Sequence, residues 1–326
     1  MASGGCDCDI IVWDLVSLSV LVKLRGHKDA VTDITYFATN RRRFLVSSSK
    51  DALVKVWCLD SSVCVQTIVG HHCEVWSVSC VSPLGGSTTV VVTGGADGQL
   101  RGYRVNPDES DESINDESAI LQYIGTVSTQ CGADKVVALK LSRRGDKLAA
   151  QSTGKVVDLF SVRSDAEVAK KAKRRLKRTR EKTARIEEEN SVDTVAAAEE
   201  ESDLMLSDIL EPLSVLRCPY PVRGFDFSPA ASLSGQAERS PLASVETSDT
   251  ALVSSARNML EIYKIPSSTD TGASTTPQRS TLLDLHGHRS DVRCVCLSAD
   301  GRMVATCSSD GLKVHTLILY VDYNYT

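Results

Sequence analysis

Six histidines, eleven cysteines and scattered acid pairs are the side chains from which this chain could build chemistry. A hydrolase or transferase needs a nucleophile beside a base, or a glycine-rich loop that cradles phosphate. Neither is present: there is no G-x-x-x-x-G-K-[ST] loop, no dinucleotide fingerprint ahead of a helix and no G-x-S-x-G elbow. His27, His71 and His288 each follow a glycine and fall at one position of a recurring pattern, which suits a structural part. His72 and His286 are their neighbours, and His315 takes a position held elsewhere by an aromatic residue. Asp7 and Asp9 lie in a turn. The sequence therefore predicts no catalytic residue, no cofactor and no small-molecule substrate.

Metal chemistry is equally thin. Cys6/Cys8 and Cys294/Cys296 are C-x-C pairs without further ligands at metal spacing. Cys58, Cys64, Cys80, Cys131, Cys218 and Cys307 stand singly on alternating stretches, as small buried apolar residues would. Neither a metal site nor a disulfide framework is expected. With no N-terminal apolar signal region and no run of about eighteen apolar residues, the expectation is an intracellular chain with no membrane partner. Asn324-Tyr325-Thr326 matches a glycosylation acceptor that carries no meaning without a secretory route.

Two charged stretches carry more information. Residues 108–117 hold six carboxylates and no base, which predicts a disordered acidic loop within 106–119. Ser110, Ser113 and Ser118 there resemble acidophilic-kinase sites, against the plainer reading of a solubilising loop. Residues 170–185 hold ten bases and one acid, and residues 187–211 hold ten acids and no base. Good helix formers without Gly or Pro from Glu167 to Ile186 predict a solvated helix. Its apolar stripe is too thin to pack on a core, so it should project as a basic rod with an acidic tail. Lys170, Lys171, Lys173, Arg174, Arg175, Lys177, Arg178 and Arg180 are the candidate residues for nucleic acid, a partner or nuclear localisation. A charged insertion paired with its own acidic neighbour is the competing reading, and the two stand level. The net charge of −5 places any polyanion binding in this patch and not in a global field.

The elements that must position these residues are repeats. Gly26-His27 leads through Ser47-Ser48-Ser49-Lys50-Asp51 to Val54-Lys55-Val56-Trp57. Gly70-His71 leads through Thr93 and Asp97-Gly98 to Tyr103, and Gly287-His288 through Thr306 and Asp310-Gly311 to His315. The chain opens on Ser3, Asp7 and Trp13; Trp13 to Trp57 is 44 residues and Trp57 to Tyr103 is 46. Two degenerate copies run from Val136 to Phe160 and from Phe225 to Tyr263. Short alternating runs such as Val54–Val56 and Val63–Ile68 read as strands parted by turns. Spacing and signature resemble WD40 repeats, whose four-stranded blades stack radially. The fold class expected is all-β: an incomplete WD40 β-propeller with about five to six recognisable blades of a seven-bladed ring, plus a charged helical insertion. The boundaries read as blades over 1–160, the insertion over 161–212, blades over 213–315 and an unrelated tail over 316–326, with both ends looking cut. By resemblance, His27, Asp51 and Trp57 form a buried hydrogen-bonded set with a Ser or Thr. His71 and Asp97 keep two members of the next set, with Tyr103 in the Trp slot, and His288 and Asp310 belong to the last.

The order of features narrows the resemblance. Gly4-Gly5-Cys6-Asp7-Cys8-Asp9-Ile10-Ile11-Val12-Trp13-Asp14, Leu24-Arg25-Gly26-His27-Lys28-Asp29-Ala30-Val31-Thr32, the basic helix after Phe160 and Gly287-His288-Arg289-Ser290-Asp291-Val292-Arg293 resemble the first propeller of the WD repeat-containing protein 3 family. Those proteins are tandem-propeller subunits of the UTP-B complex of the small-subunit processome. The resemblance implies a non-catalytic nucleolar scaffold in pre-rRNA processing. Its implied partners are other WD-repeat processome subunits, and snoRNA and pre-rRNA by direct or indirect contact. His315 departs from the family's final Trp. The alternative is a cytoplasmic WD-repeat adaptor, a signalling scaffold or ubiquitin-ligase substrate receptor, with the basic rod incidental.

Overall fold

The computed structural model describes residues 1–39, 42–82, 88–106, 119–130, 132, 134–189, 204–227, 250–256, 259–265, 277–284, 288–298 and 303–316. The acidic loop at 107–118 with Ser110, Ser113 and Ser118, the acidic stretch at 190–203, Cys131, His286 and the tail from 317 lie outside them.

Among the described residues the strands form six antiparallel sheets in chain order. The first holds β1 (Ala2–Gly4), β2 (Asp9–Asp14) and β3 (Ser19–Arg25). The second holds β4 (Val31–Ala38), β5 (Arg43–Ser49), β6 (Val54–Cys58) and β7 (Val63–Ile68). The third holds β8 (Val75–Val81), β9 (Val90–Gly95), β10 (Gln99–Val105) and β11 (Leu121–Ser128). The fourth is β12 (Val136–Leu141), β13 (Lys147–Ser152), β14 (Val156–Val162) and β15 (Leu210–Arg217). The fifth is β16 (Val222–Phe227), β17 (Thr250–Ser255), β18 (Met259–Lys264) and β19 (Gln278–Asp284). The sixth is β20 (Val292–Leu297), β21 (Met303–Ser308) and β22 (Gly311–Thr316). Residues 1–139 with 161–211 make one compact unit, and 140–160 with 212–326 a second.

Strand position explains composition. The strands β5, β9, β13 and β17 are covered on both faces, so β9 is buried throughout and reads as an apolar run, Val90-Val91-Val92. The outer strand β7 is largely exposed and alternates weakly. Of the ten described cysteines, all free thiols, only Cys58 and Cys218 are buried. The expectation of single cysteines as buried apolar residues thus fails at Cys64 and Cys307, which lie on an outer strand and on the sixth sheet.

The turn between the second and third strands has one recurring geometry. Asp51 Oδ1 accepts the N–H of Leu53 at 3.0 Å and Asp97 Oδ1 that of Gln99 at 3.2 Å, a local side-chain turn that aspartate forms readily. The next residue is left-handed in three copies: Cys8 at φ 64°, Ala52 at 63° and Gly98 at 71°. Only glycine adopts this conformation without cost.

Side chains on the inner strands clasp the next sheet. Asp33 accepts from Ser77 and from the Val78 N–H, and Ser77 Oγ accepts from the Leu139 N–H. In the second unit Gly224 has no side chain to offer at the register of Asp33, and Asp226, two residues on, accepts the Leu297 N–H at 2.8 Å.

The charged insertion lies between β14 and β15. It comprises α1 (Asp165–Glu189) and the short α2 (Leu206–Ile209), and its neck is closed by the Arg163 N–H donating to Ile209 O at 3.0 Å. Glu167 accepts from the Ser164 N–H and hydroxyl at the start of α1, part of a capping box.

Candidate functional site

In the second sheet four side chains make one directed chain. The Trp57 indole N–H can only donate, so Ser47 Oγ accepts it at 2.8 Å. The Ser47 proton therefore goes to His27 Nε2, 2.7 Å away, and His27 Nδ1 carries the proton that reaches Asp51 Oδ2 at 2.9 Å. Burial holds the His27 pKa below the ordinary value despite Asp51, so the ring is neutral near pH 7. Burial works against ionised Asp51, but the Lys28 N–H, His27 and the Leu53 N–H outweigh it and bring its pKa down. The first sheet keeps the Trp-Ser half of this chain, Trp13 Nε1 to Ser3 Oγ at 2.8 Å.

The third sheet is wired differently. His71 and Asp97 do not meet directly, because the guanidinium of Arg101 lies between them. It donates to His71 Nδ1 at 3.0 Å and to Asp97 Oδ2 at 2.7 Å. His71 must then carry its proton on Nε2, the opposite tautomer to His27, and donate to Thr93 Oγ1 at 3.0 Å. Burial first, then Arg101, lower the His71 pKa to about 4. Tyr103 fills the aromatic position, and its hydroxyl has no hydrogen-bond partner among the described residues. The signal in the sequence was the arginine two residues before a Trp-to-Tyr change, where the second sheet has Lys55.

In the sixth sheet His288 Nδ1 lies 2.9 Å from Asp310 Oδ1 and Nε2 2.8 Å from Thr306 Oγ1. The Arg289 N–H and His288 hold the Asp310 carboxyl well below the usual carboxylate range. The side chain of His315 is outside the described residues. Buried, with both ring nitrogens engaged, the three histidines hold turns in place and offer no proton to a substrate. The degenerate fifth sheet substitutes a different pair: Tyr263 OH donates to the fully buried Glu261 at 2.5 Å. An open pocket of about 430 Å³ beside it is lined by Arg217, Cys218, Pro219, Tyr263, Pro277 and Arg279. Among the described residues no group of three or more His, Cys, Asp or Glu could hold a metal ion. No described helix is long and apolar enough to cross a membrane.

The basic candidates divide between two faces of α1. Leu206 of α2 is fully buried against the third sheet, at Gly102 and Ile124. This seats Asp208, only 1 % exposed, where Arg175 Nε reaches its Oδ2 at 3.1 Å. Lys171 donates to Ser207 O, and Arg163 pairs with Glu211 at 2.8 Å. Val168 and Ala172 are buried on the same side. The first half of α1 is therefore docked, contrary to the expected free rod: four positions suffice because a buried ion pair supplements the thin apolar stripe. Lys170, Lys173, Arg174, Lys177 and Arg178 are exposed, and the Arg180 side chain is outside the described residues.

The described sheets and their hydrogen-bonded turns have the architecture of a partial WD40 β-propeller. The family model "WD domain, G-beta repeat" matches residues 18–58, 62–103 and 279–312. The chain is similar to the U3 small nucleolar RNA-associated protein 12 of Saccharomyces cerevisiae, 29% identical over 353 aligned residues, 96% of this chain and 34% of that protein. It thus spans about a third of that relative's length. Pre-mRNA-processing factor 19 of Bos taurus is 31% identical over 77 residues, 24% of this chain and 15% of that protein. Among solved structures, one titled "Structure of U3-55K" shares the fold with a TM-score of 0.55 at 16% identity, covering 94% of this chain and 69% of that one.

Proposed function

We propose that this chain is a non-catalytic WD-repeat scaffold of the small-subunit processome, acting in pre-rRNA processing and small-subunit assembly in the nucleolus. The observation that carries the reading is the 29% identity along 96% of the chain to a U3 small nucleolar RNA-associated protein. The ordered motifs that resemble the WD repeat-containing protein 3 family support it. The sheets supply rigid faces for other WD-repeat subunits, and the basic stretch at 170–185 of the insertion supplies positive charge for snoRNA and pre-rRNA. Blades over 1–160 and 213–315 with that insertion between them form the working division of the chain.

In-cell crosslinking of the tagged chain, with sequencing of bound RNA and identification of co-purifying proteins, tests this. Reads concentrated on pre-rRNA and its guide snoRNA, with WD-repeat processome subunits alongside, are expected. Background RNA together with cytoplasmic signalling or ubiquitin-ligase partners would replace the reading with that of an adaptor.

A further inference from the structure

The docking of α1 leaves one side of the helix with a single chemical character. Lys170, Lys173, Arg174, Lys177 and Arg178 are spaced i, i+3, i+4, i+7 and i+8, which places them on one face. All five are exposed, while Val168, Lys171, Ala172 and Arg175 on the opposite side are buried or tied to α2. The nearby acceptors Ser207 O, Asp208 and Glu211 are used by Lys171, Arg175 and Arg163. Lys170, Lys173, Arg174 and Arg178 make no ion pair with any described residue.

We infer that this outward face of α1 is a sequence-independent binding face for the phosphate backbone of RNA, a deepening of the processome reading on which it rests. Five cations along about 12 Å of helix complement a regular polyanion. Between Val168 and Arg178 there is no aromatic residue to stack on a base and no Asn, Gln, Asp or Glu to read a base edge. The face can therefore neutralise phosphates without selecting sequence. The Arg175–Asp208 pair gives it a fixed orientation, so the charges arrive already ordered.

Counterion release sets the expected size of the effect. If all five cations meet phosphates of a single strand, log K falls with log salt at a slope of about −3.5, roughly a hundredfold loss between 50 and 200 mM. The test uses the purified full chain and fluorescent RNA 20-mers, oligo(U) and a mixed sequence, followed by anisotropy across that range. The wild type should bind both alike. K170E/R174E/R178E should bind at least tenfold more weakly at 100 mM salt, with a slope shallower by about two units. The charge-matched control K28E/R42E/R217E should match wild type, and the circular dichroism of all three proteins should coincide. Equal RNA binding by the α1 variant would overturn the proposal. An equal loss in the control would assign binding to the general surface, and tighter binding of an acidic peptide than of RNA would assign the face to a protein partner; either result also overturns it. Salt-dependent RNA binding at this face, in a chain that recovers no processome RNA in cells, would sustain the face and reject the functional reading. Processome association in cells with no RNA binding here would do the reverse.

Discussion

Asp33 and Ser77 join two neighbouring sheets: Asp33 Oδ2 accepts from Ser77 Oγ at 2.8 Å and from the Val78 N–H at 3.0 Å. Ser77 Oγ then accepts the Leu139 N–H at 2.8 Å, so one polar chain crosses from the second sheet through the third to the fourth. Asp33→Ala strips these two donors and the Ile34 N–H of a charged acceptor and should lower stability by about 3 kcal/mol, and Ser77→Ala by about 2 kcal/mol. Because the two residues share one network, the double variant should lose less than the sum. Urea unfolding of the four proteins measures the coupling, and additive losses would show that the bonds act independently.

Ser47 is the junction of the His27 chain. Ser47→Ala removes both the acceptor of Trp57 and the donor to His27, with an expected loss of about 2–3 kcal/mol. Ser47→Thr should stay within about 1 kcal/mol, since Thr93 and Thr306 hold the same position opposite His71 and His288. Denaturant midpoints followed by tryptophan fluorescence decide it. A mild alanine variant would mean that water replaces the hydroxyl.

His71 should make stability depend on pH. Its folded pKa of about 4 lies below the ordinary value of 6.5. Between those values the unfolded chain binds the proton and the folded chain does not. The contribution is complete above about pH 6.5 and is lost as pH falls toward 4, by up to about 3 kcal/mol. His71→Gln should flatten this part of the profile. Arg101→Met should raise the His71 titration midpoint seen by NMR, and an unmoved midpoint would leave burial as its sole cause.

Ala52 occupies a left-handed turn position at φ 63°. Ala52→Gly should stabilise the chain by about 1 kcal/mol through relief of that strain. The reverse change at Gly98 should destabilise, because an added Cβ would run into the carbonyl oxygen of Gly132. Thermal unfolding of A52G and G98A compares the two turns, and opposite signs are expected.

Arg175→Ala leaves Asp208 buried without its cation and should loosen α1 by about 3 kcal/mol. Gly102→Val should do the same from the other end, since its Cβ would meet Leu206 Cδ1 at 2.7 Å. Hydrogen exchange should rise in α1 and α2 while the sheets keep their protection. Protection lost throughout would show that the insertion supports the whole unit.

Trp13, Trp57 and the Gly-His turns announced the repeat because turn chemistry and strand period are local properties. The same locality explains what was missed. Leu206 meets Gly102 across about a hundred positions of sequence, and nothing near either residue names the other. The glycine stands where the second sheet has Val56, which was the one available sign. The Asp33 clasp was equally hidden: an aspartate inside an apolar strand looks like an irregularity until the next sheet supplies its donors. Arg101 was visible as a residue but not as an intruder, because its place between His71 and Asp97 depends on the space left when Trp gives way to Tyr.

The hydrogen bond from the Arg163 N–H to Ile209 O gives the insertion a property of a different kind. Chain leaves and re-enters the fourth sheet at a single point, so the entropy of closing that loop is settled at the neck and grows only slowly with what lies beyond it. The position works as a socket. A longer module could be spliced in beyond the docked half of α1, with the order β12 to β15 unchanged. Length beyond that contact is thus free to vary, while Leu206 keeps its seat at Gly102.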